Sequence, residues 1–178
     1  MVNEVLDFWF SELSPKQWWQ KDTKLDATIA QRFGDVHRQA VACELDTWRS
    51  SATGSLAEII VLDQFSRNIF RDTPAAFAAD SLALALAQAA IEKDFDTALP
   101  DNQRAFLYMP FMHSESRLIH QRAVTLFTSL GNSNNLDFEY RHKAIIDQFG
   151  RYPHRNAILG RASTPDELTF LQQPGSGF

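Results

Sequence analysis

Apolar residues recur along this chain every three or four positions, the period of an amphipathic helix, and the strict apolar–polar alternation of a half-buried strand is missing. The first such stretch runs from Val2 to Glu12, with Val5, Leu6, Trp9 and Phe10 on one face. Ser14-Pro15 opens a short element carrying Trp18 and Trp19. Leu25 to Trp48 reads as one long helix, with Ile29, Phe33, Val36, Ala40 and Leu45 at helical spacing, and Ser51 to Gly54 as a break. Ser55-x-x-Glu58 has the form of a capping box opening an apolar helix to about Phe70. Asp80 is expected to cap an Ala- and Leu-rich helix ending near Lys93. Pro100-Asp101 starts a helix that meets Pro110, where a kink or break is expected.

A helix from about Ser114 to Leu130 stops at Gly131, residues 131–135 read as a loop, and Leu136 to Phe149 stops at Gly150. Residues 151–163 look irregular. Thr164-Pro165-Asp166-Glu167 is a second capping box with proline at the first helical position, and the tail 174–178 reads as loose or draped. The pattern predicts an all-α fold of seven to nine antiparallel helices with short connections, in a bundle or stacked array. No period near 34 residues and no tetratricopeptide consensus is present. The 178 residues are expected to form one domain, 1–178.

Composition narrows the class. A chain 44% hydrophobic, with 14 Phe and 4 Trp, can bury a core and is too apolar for disorder. The single cysteine, Cys43, excludes an internal disulfide and a multi-thiolate zinc site and fits a reducing compartment. The opening residues lack the basic region of a signal peptide. The longest apolar stretch, Ala75 to Ile91, is interrupted by Asp80, Ser81 and Gln88, short of the roughly 20 residues that span a bilayer. These features predict a cytoplasmic protein with no membrane partner, and a net charge of −5 argues against nucleic acid. The charge is uneven: residues 1–103 carry 9 basic and 16 acidic side chains, residues 104–161 carry 8 and 4, and seven of those eight are arginine. Arginine's rigid donor fork suits carboxylate or phosphate.

Three segments could carry chemistry. Leu62 to Arg71 follows a run that is apolar all round, yet presents Asp63, Gln64, Arg67, Asn68 and Arg71. Asp63 and Arg67 are spaced to pair, while Gln64, Asn68 and Arg71 share another face. The bland alternative is a network at a helix end. Tyr108 to Glu115 leads an apolar run into His113, Ser114 and Glu115; His113 or Ser114 could cap the next helix, or His113 and Glu115 could form an acid–base pair. In the third segment, His142 falls on the stripe of Phe138, Ile145, Ile146 and Phe149 and reads as a core residue. Arg151, His154, Arg155, Asn156 and Arg161 crowd a short stretch held by Gly150, Pro153 and Gly160. No Gly-rich nucleotide loop, no Gly-x-Ser-x-Gly elbow and no His-Glu-x-x-His spacing occurs, so no cofactor or metal is expected. Cys43, read as mid-helix, has no nearby cation in sequence to activate it.

Several long motifs point to a family. Val5-Leu6-Asp7-Phe8-Trp9-Phe10 with Trp18-Trp19-x-Lys21-Asp22, Leu62 to Arg71, Tyr108 to Glu115, Gln148 to Asn156, Leu159-Gly160-Arg161-x-Ser163-Thr164 and Pro174 to Phe178 resemble the bacterial domain-of-unknown-function 924 family over essentially the whole chain. Asp72 departs from the glycine expected after the Phe-Arg pair. The resemblance implies an all-α, tetratricopeptide-like helical array and no established activity.

Two readings of function follow, and whether the chain is an enzyme stays open. In the first, Arg71, Arg151 and Arg155 clamp a small phosphorylated or carboxylated metabolite, Gln64, Asn68 and Asn156 orient it, and His113, His154 and Glu115 supply acid–base chemistry. In the second, the chain is an interaction module for a protein or peptide, marked by an exposed patch of Trp18, Trp19 and Trp48 and by arginines paired internally. A metal-dependent hydrolase would need His113, His142 or His154 to meet a carboxylate such as Asp63 or Glu115.

Overall fold

The computed structural model describes residues 1–177, so the last residue of the expected tail, Phe178, lies outside the described residues. All regular elements among them are helical. The described residues form two compact units: residues 1–71 with 75–110, and residues 72–74 with 111–177.

In the first unit α1 (Val2–Asp7) runs straight into a π-helical turn, Phe8–Glu12, followed by the 3-10 turn Gln17–Trp19. The Asp22 Oδ1 accepts from the Lys24 and Leu25 N–H groups and so caps α2 (Thr23–Val41), which buries Leu25, Ile29, Phe33, Val36 and Ala40. That helix ends well before Trp48. Cys43 turns left-handed at φ 60°, and the chain tightens into the 3-10 turn Asp46–Ser50, so Cys43 is exposed and outside the helix.

Helix α3 (Ala52–Ile60) starts inside the expected break. Its cap is Ser51, whose Oγ accepts from the Gly54 N–H, and not Ser55, which sits buried in the following turn. Gly54 is required there, because a Cβ would stand 2.1 Å from the Trp48 carbonyl oxygen. Glu58 reaches no cap; it is 0% exposed and takes two bonds from Arg49. A π turn, Val61–Phe65, carries α3 into α4 (Ser66–Ile69). This continuous segment is the centre of the unit, packed by α1, α2 and α5 (Asp80–Glu92).

Helix α5 buries Ala83, Ala87 and Ala90, and Asp80 begins it without capping it because its carboxylate binds Arg67. Residues 74–92 are long and apolar enough in composition to cross a membrane. The helix itself has only 13 residues, about 20 Å at 1.5 Å each, short of a hydrocarbon core of about 30 Å. Helix α6 (Asp101–Met112) passes through Pro110 without the expected break. Proline stands in its last turn, so few hydrogen bonds remain beyond it to be lost.

In the second unit α7 (Arg117–Leu130) begins after Ser116, whose Oγ caps it in place of His113 or Ser114. It forms a helical hairpin with α8 (Ser133–Phe149). The expected loop shrinks because Gly131, at φ 75°, ends one helix and the Asn132 side chain caps the next. Gly150 ends α8 at φ 71°. A 3-10 turn, Pro153–Arg155, leads to α9 (Pro165–Leu171), which opens with the expected capping box. Ile145, Ile146 and Tyr152 form a buried cluster with Phe149 and Phe170 against it, whereas Phe138 is 41% exposed under the Arg141 guanidinium.

Candidate functional site

Within the first unit, residues 63–71 form an ionic network. Gln64 lies in the π turn and meets other partners than Asn68 and Arg71 do. Its Nε2 donates to the Asp63 carboxylate and lies 3.6 Å from the Met109 sulfur. Arg67 pairs with Asp63, as spaced, and forks onto both oxygens of Asp80. Arg71 donates from Nε and Nη2 to the two oxygens of Asp26 at 2.6 and 2.7 Å, and Asn68 Nδ2 donates to Asp26 at 2.8 Å. Burial works to raise the Asp26 carboxyl, but the bonds from Arg71 and Asn68 outweigh it and hold it below the usual carboxylate range.

The second unit repeats the arrangement. Arg151 donates from Nε and Nη2 to the two oxygens of Glu167 at 2.6 and 2.8 Å, and Asn156 Nδ2 adds a third bond at 3.2 Å. The Thr164 N–H, through the capping box, adds a fourth. The Arg151 bonds lead in bringing the Glu167 carboxyl down to about 2. Glu115 takes both forks of Arg161 and the Tyr152 N–H, and it lies before Ser116, the cap of α7, outside that helix's first turn. Burial would raise that carboxyl; Arg161 and the Tyr152 N–H prevail and lower it. Arg155 is buried, donates to the His113 carbonyl at 3.1 Å and lies 4.6 Å above the Tyr152 ring.

Tyr152 is the hub of this unit. The rings of His120, His142 and His154 lie 6.3, 5.8 and 5.5 Å from its own. His142 donates from Nδ1 to the Phe138 carbonyl, and burial pushes its pKa down to about 3. His120, seven residues from His113 but not on one helix with it, contacts Glu139 at 2.7 Å. Among the described residues no group of three or more His, Cys, Asp or Glu side chains is placed to hold a metal ion.

The remaining feature is an aromatic platform on the first unit. Trp18 and Trp19 rest on Phe106, Trp18 edge-on at 5.0 Å and Trp19 parallel to within 8° at 6.0 Å. Phe10 and Trp9 back Phe106 edge-on, and the Trp18 Nε1 donates to the Trp9 carbonyl. Trp19 nevertheless stays 63% exposed, beside an open depression of about 680 Å³ lined by Gln20, Lys21, Asp22 and Thr23. Trp48 is not part of it; it is half-buried in the 3-10 turn Asp46–Ser50.

The family model for bacterial proteins of unknown function DUF924 matches residues 5–175. The chain belongs to the DUF924 family. A solved structure of ATU0120, a protein of unknown function from Agrobacterium tumefaciens, is 40% identical to this DUF924 protein. It covers 96% of both chains at a TM-score of 0.91. No curated protein matches.

The nine residues that stand out in the sequence are divided between the two units. Gln64, Asn68 and Arg71 belong to the first unit; His113, Glu115, Arg151, His154, Arg155 and Asn156 belong to the second. Their carboxylate partners, Asp26 and Glu167, do not stand out, because a partner distant in sequence leaves no local signal. Phe106 is hidden for the same reason, although the Trp18-Trp19 pair is visible.

Proposed function

We propose that this DUF924 protein is a recognition module that docks a partner polypeptide on the Trp19 platform, and that its arginine and histidine motifs serve the fold. Trp19 carries the reading: a large apolar side chain, mostly exposed, yet held by parallel stacking on Phe106. An indole ordered in advance offers contact area with little entropy left to lose, the property of interface anchors. Gln20, Lys21, Asp22 and Thr23 give the depression a polar rim. The partner would lay one apolar or aromatic side chain on the indole and hydrogen-bond the rim. The tetratricopeptide-like reading of the sequence points the same way, by analogy of fold.

The anion reading is less well supported. A clamp needs guanidinium groups that a ligand can reach, and Arg71 and Arg151 each grip both oxygens of a carboxylate. An anion would have to displace Asp26 or Glu167 and leave that carboxylate without its main partner.

Selection of displayed random peptides on the immobilised protein, counter-selected on Trp19→Ala, tests the proposal. Enriched peptides are expected to share an apolar or aromatic position and to bind the parent about tenfold or more tightly than the variant, a difference of about 1.4 kcal/mol. Peptides that bind both proteins equally would count against it. So would a phosphorylated metabolite that raises the melting temperature of the parent and not of Arg151→Ala.

A further inference from the structure

Helices α7 and α8 meet around ionisable groups that face one another away from solvent. His120 and Glu139 are both 0% exposed, and His120 Nδ1 lies 2.7 Å from Glu139 Oε1. The other ring nitrogen, Nε2, lies 2.8 Å from the Ser114 carbonyl oxygen and 3.2 Å from the Tyr152 hydroxyl. A carbonyl only accepts, so Nε2 carries a hydrogen. Tyr152 donates its own hydrogen to the Met112 carbonyl at 2.5 Å. The proton between Nδ1 and Oε1 therefore has two homes: on the ring, as imidazolium against carboxylate, or on Glu139, as neutral acid against neutral ring.

The second carboxyl oxygen decides between them. Glu139 Oε2 is buried and has no hydrogen-bond partner among the described residues. Half a negative charge on such an oxygen is heavily penalised, while a bare carbonyl oxygen of a neutral acid is penalised much less. The neighbours do not reverse this. On α8, His142 is kept neutral by burial, and Lys143, which pulls toward the carboxylate form, is paired with Asp147. On the segment before α7, Glu115 is held by Arg161, and His113 offers its carbonyl to Arg155. After α8 come Tyr152, His154 against its ring, and Arg155 above its face.

We propose that Glu139 is a neutral acid at neutral pH, donating its proton to His120 Nδ1, so that one buried proton latches α7 to α8. The inference goes beyond the recognition reading and does not depend on it. Burial pushes the Glu139 carboxyl upward, against the opposing pull of His120 and Lys143. A carboxyl raised in the folded state contributes stability fully present below its unfolded value and lost as pH climbs through the folded one. The latch therefore contributes most in acid, weakens as pH climbs above the unfolded value, and opens in alkali.

Glutamine can imitate the neutral acid, its amide N–H replacing the carboxyl O–H, and cannot imitate a carboxylate. Four measurements test the latch. Infrared spectra of the parent at neutral pH should contain a protonated-carboxyl band that is lost in Glu139→Gln. Nitrogen NMR of the parent should give His120 one protonated ring nitrogen. The melting temperature of Glu139→Gln should match or exceed the parent's while that of Glu139→Ala falls. From about pH 7 to about pH 9, below the range of tyrosine and lysine, the parent should lose stability and Glu139→Gln should not. A His120 ring with both nitrogens protonated, a carboxyl band that survives Glu139→Gln, or a Glu139→Gln protein as unstable as Glu139→Ala would each overturn the proposal. The nitrogen spectrum needs only the folded parent to decide it.

Discussion

Asp26 and Glu167 are held alike: each carboxylate receives both forks of one arginine and a further bond from an asparagine. Arginine and asparagine close together in sequence look like a binding constellation, and in both units they grip a residue of the same chain. Burial, more than charge count, sets what each pair is worth. Glu58 is 0% exposed and faces Arg49, so Arg49→Ala is expected to strand a buried carboxylate and lower unfolding free energy by about 3 kcal/mol, measured by denaturant titration. Two side chains of the second unit oppose acid in different pH ranges. His142 is kept neutral, with its pKa at about 3; its contribution is complete above about 6.5, the unfolded value, and drains as pH falls toward 3. Glu167, lowered to about 2, adds stability that is present above about 4.5 and lost as pH falls through 2. Melting curves of His142→Gln should therefore lose less stability than the parent's as pH falls from about 6.5 to about 4.5, while the loss below that persists.

Helix interiors were legible from periodicity, and their ends were legible only where one residue dominates the geometry. Thr164 and the left-handed glycines at 131 and 150 are such residues, since few others can take their place. Ser51 and Ser55 are equivalent in local sequence; the choice of Ser51 rests on the Trp48 carbonyl pressed against Gly54, a contact no pattern displays. Cys43 is similar, because nothing in its sequence signals a left-handed cysteine. Alanine at Gly54 should cost more than at Gly150. The first meets a backbone oxygen at 2.1 Å, while the second has nothing within 4 Å and bears mainly the left-handed penalty of about 1 kcal/mol. Comparing the two unfolding free energies checks that order. The candidate site was legible as residues and not as partners: the Asp63–Arg67 pair, four apart on one helix, was readable, and the pairs 26–71 and 151–167 were not.

The first unit buries apolar helices at its centre, the second closes α7 on α8 around buried histidine and glutamate, and in both an arginine network holds the helix ends; the Trp19 platform serves neither purpose. Folding explains the burial of Trp9 and Phe106 but not a stacked indole left 63% exposed. Residues that serve recognition are commonly neutral to stability, whereas residues that hold helix ends are not. Thermal unfolding of Trp19→Ala beside Arg71→Ala and Arg151→Ala measures that division in one experiment. Trp19→Ala should stay within about 1 kcal/mol of the parent while both arginine variants lose clearly more. A tryptophan variant as damaged as the arginine variants, or arginine variants as stable as the parent, would contradict it.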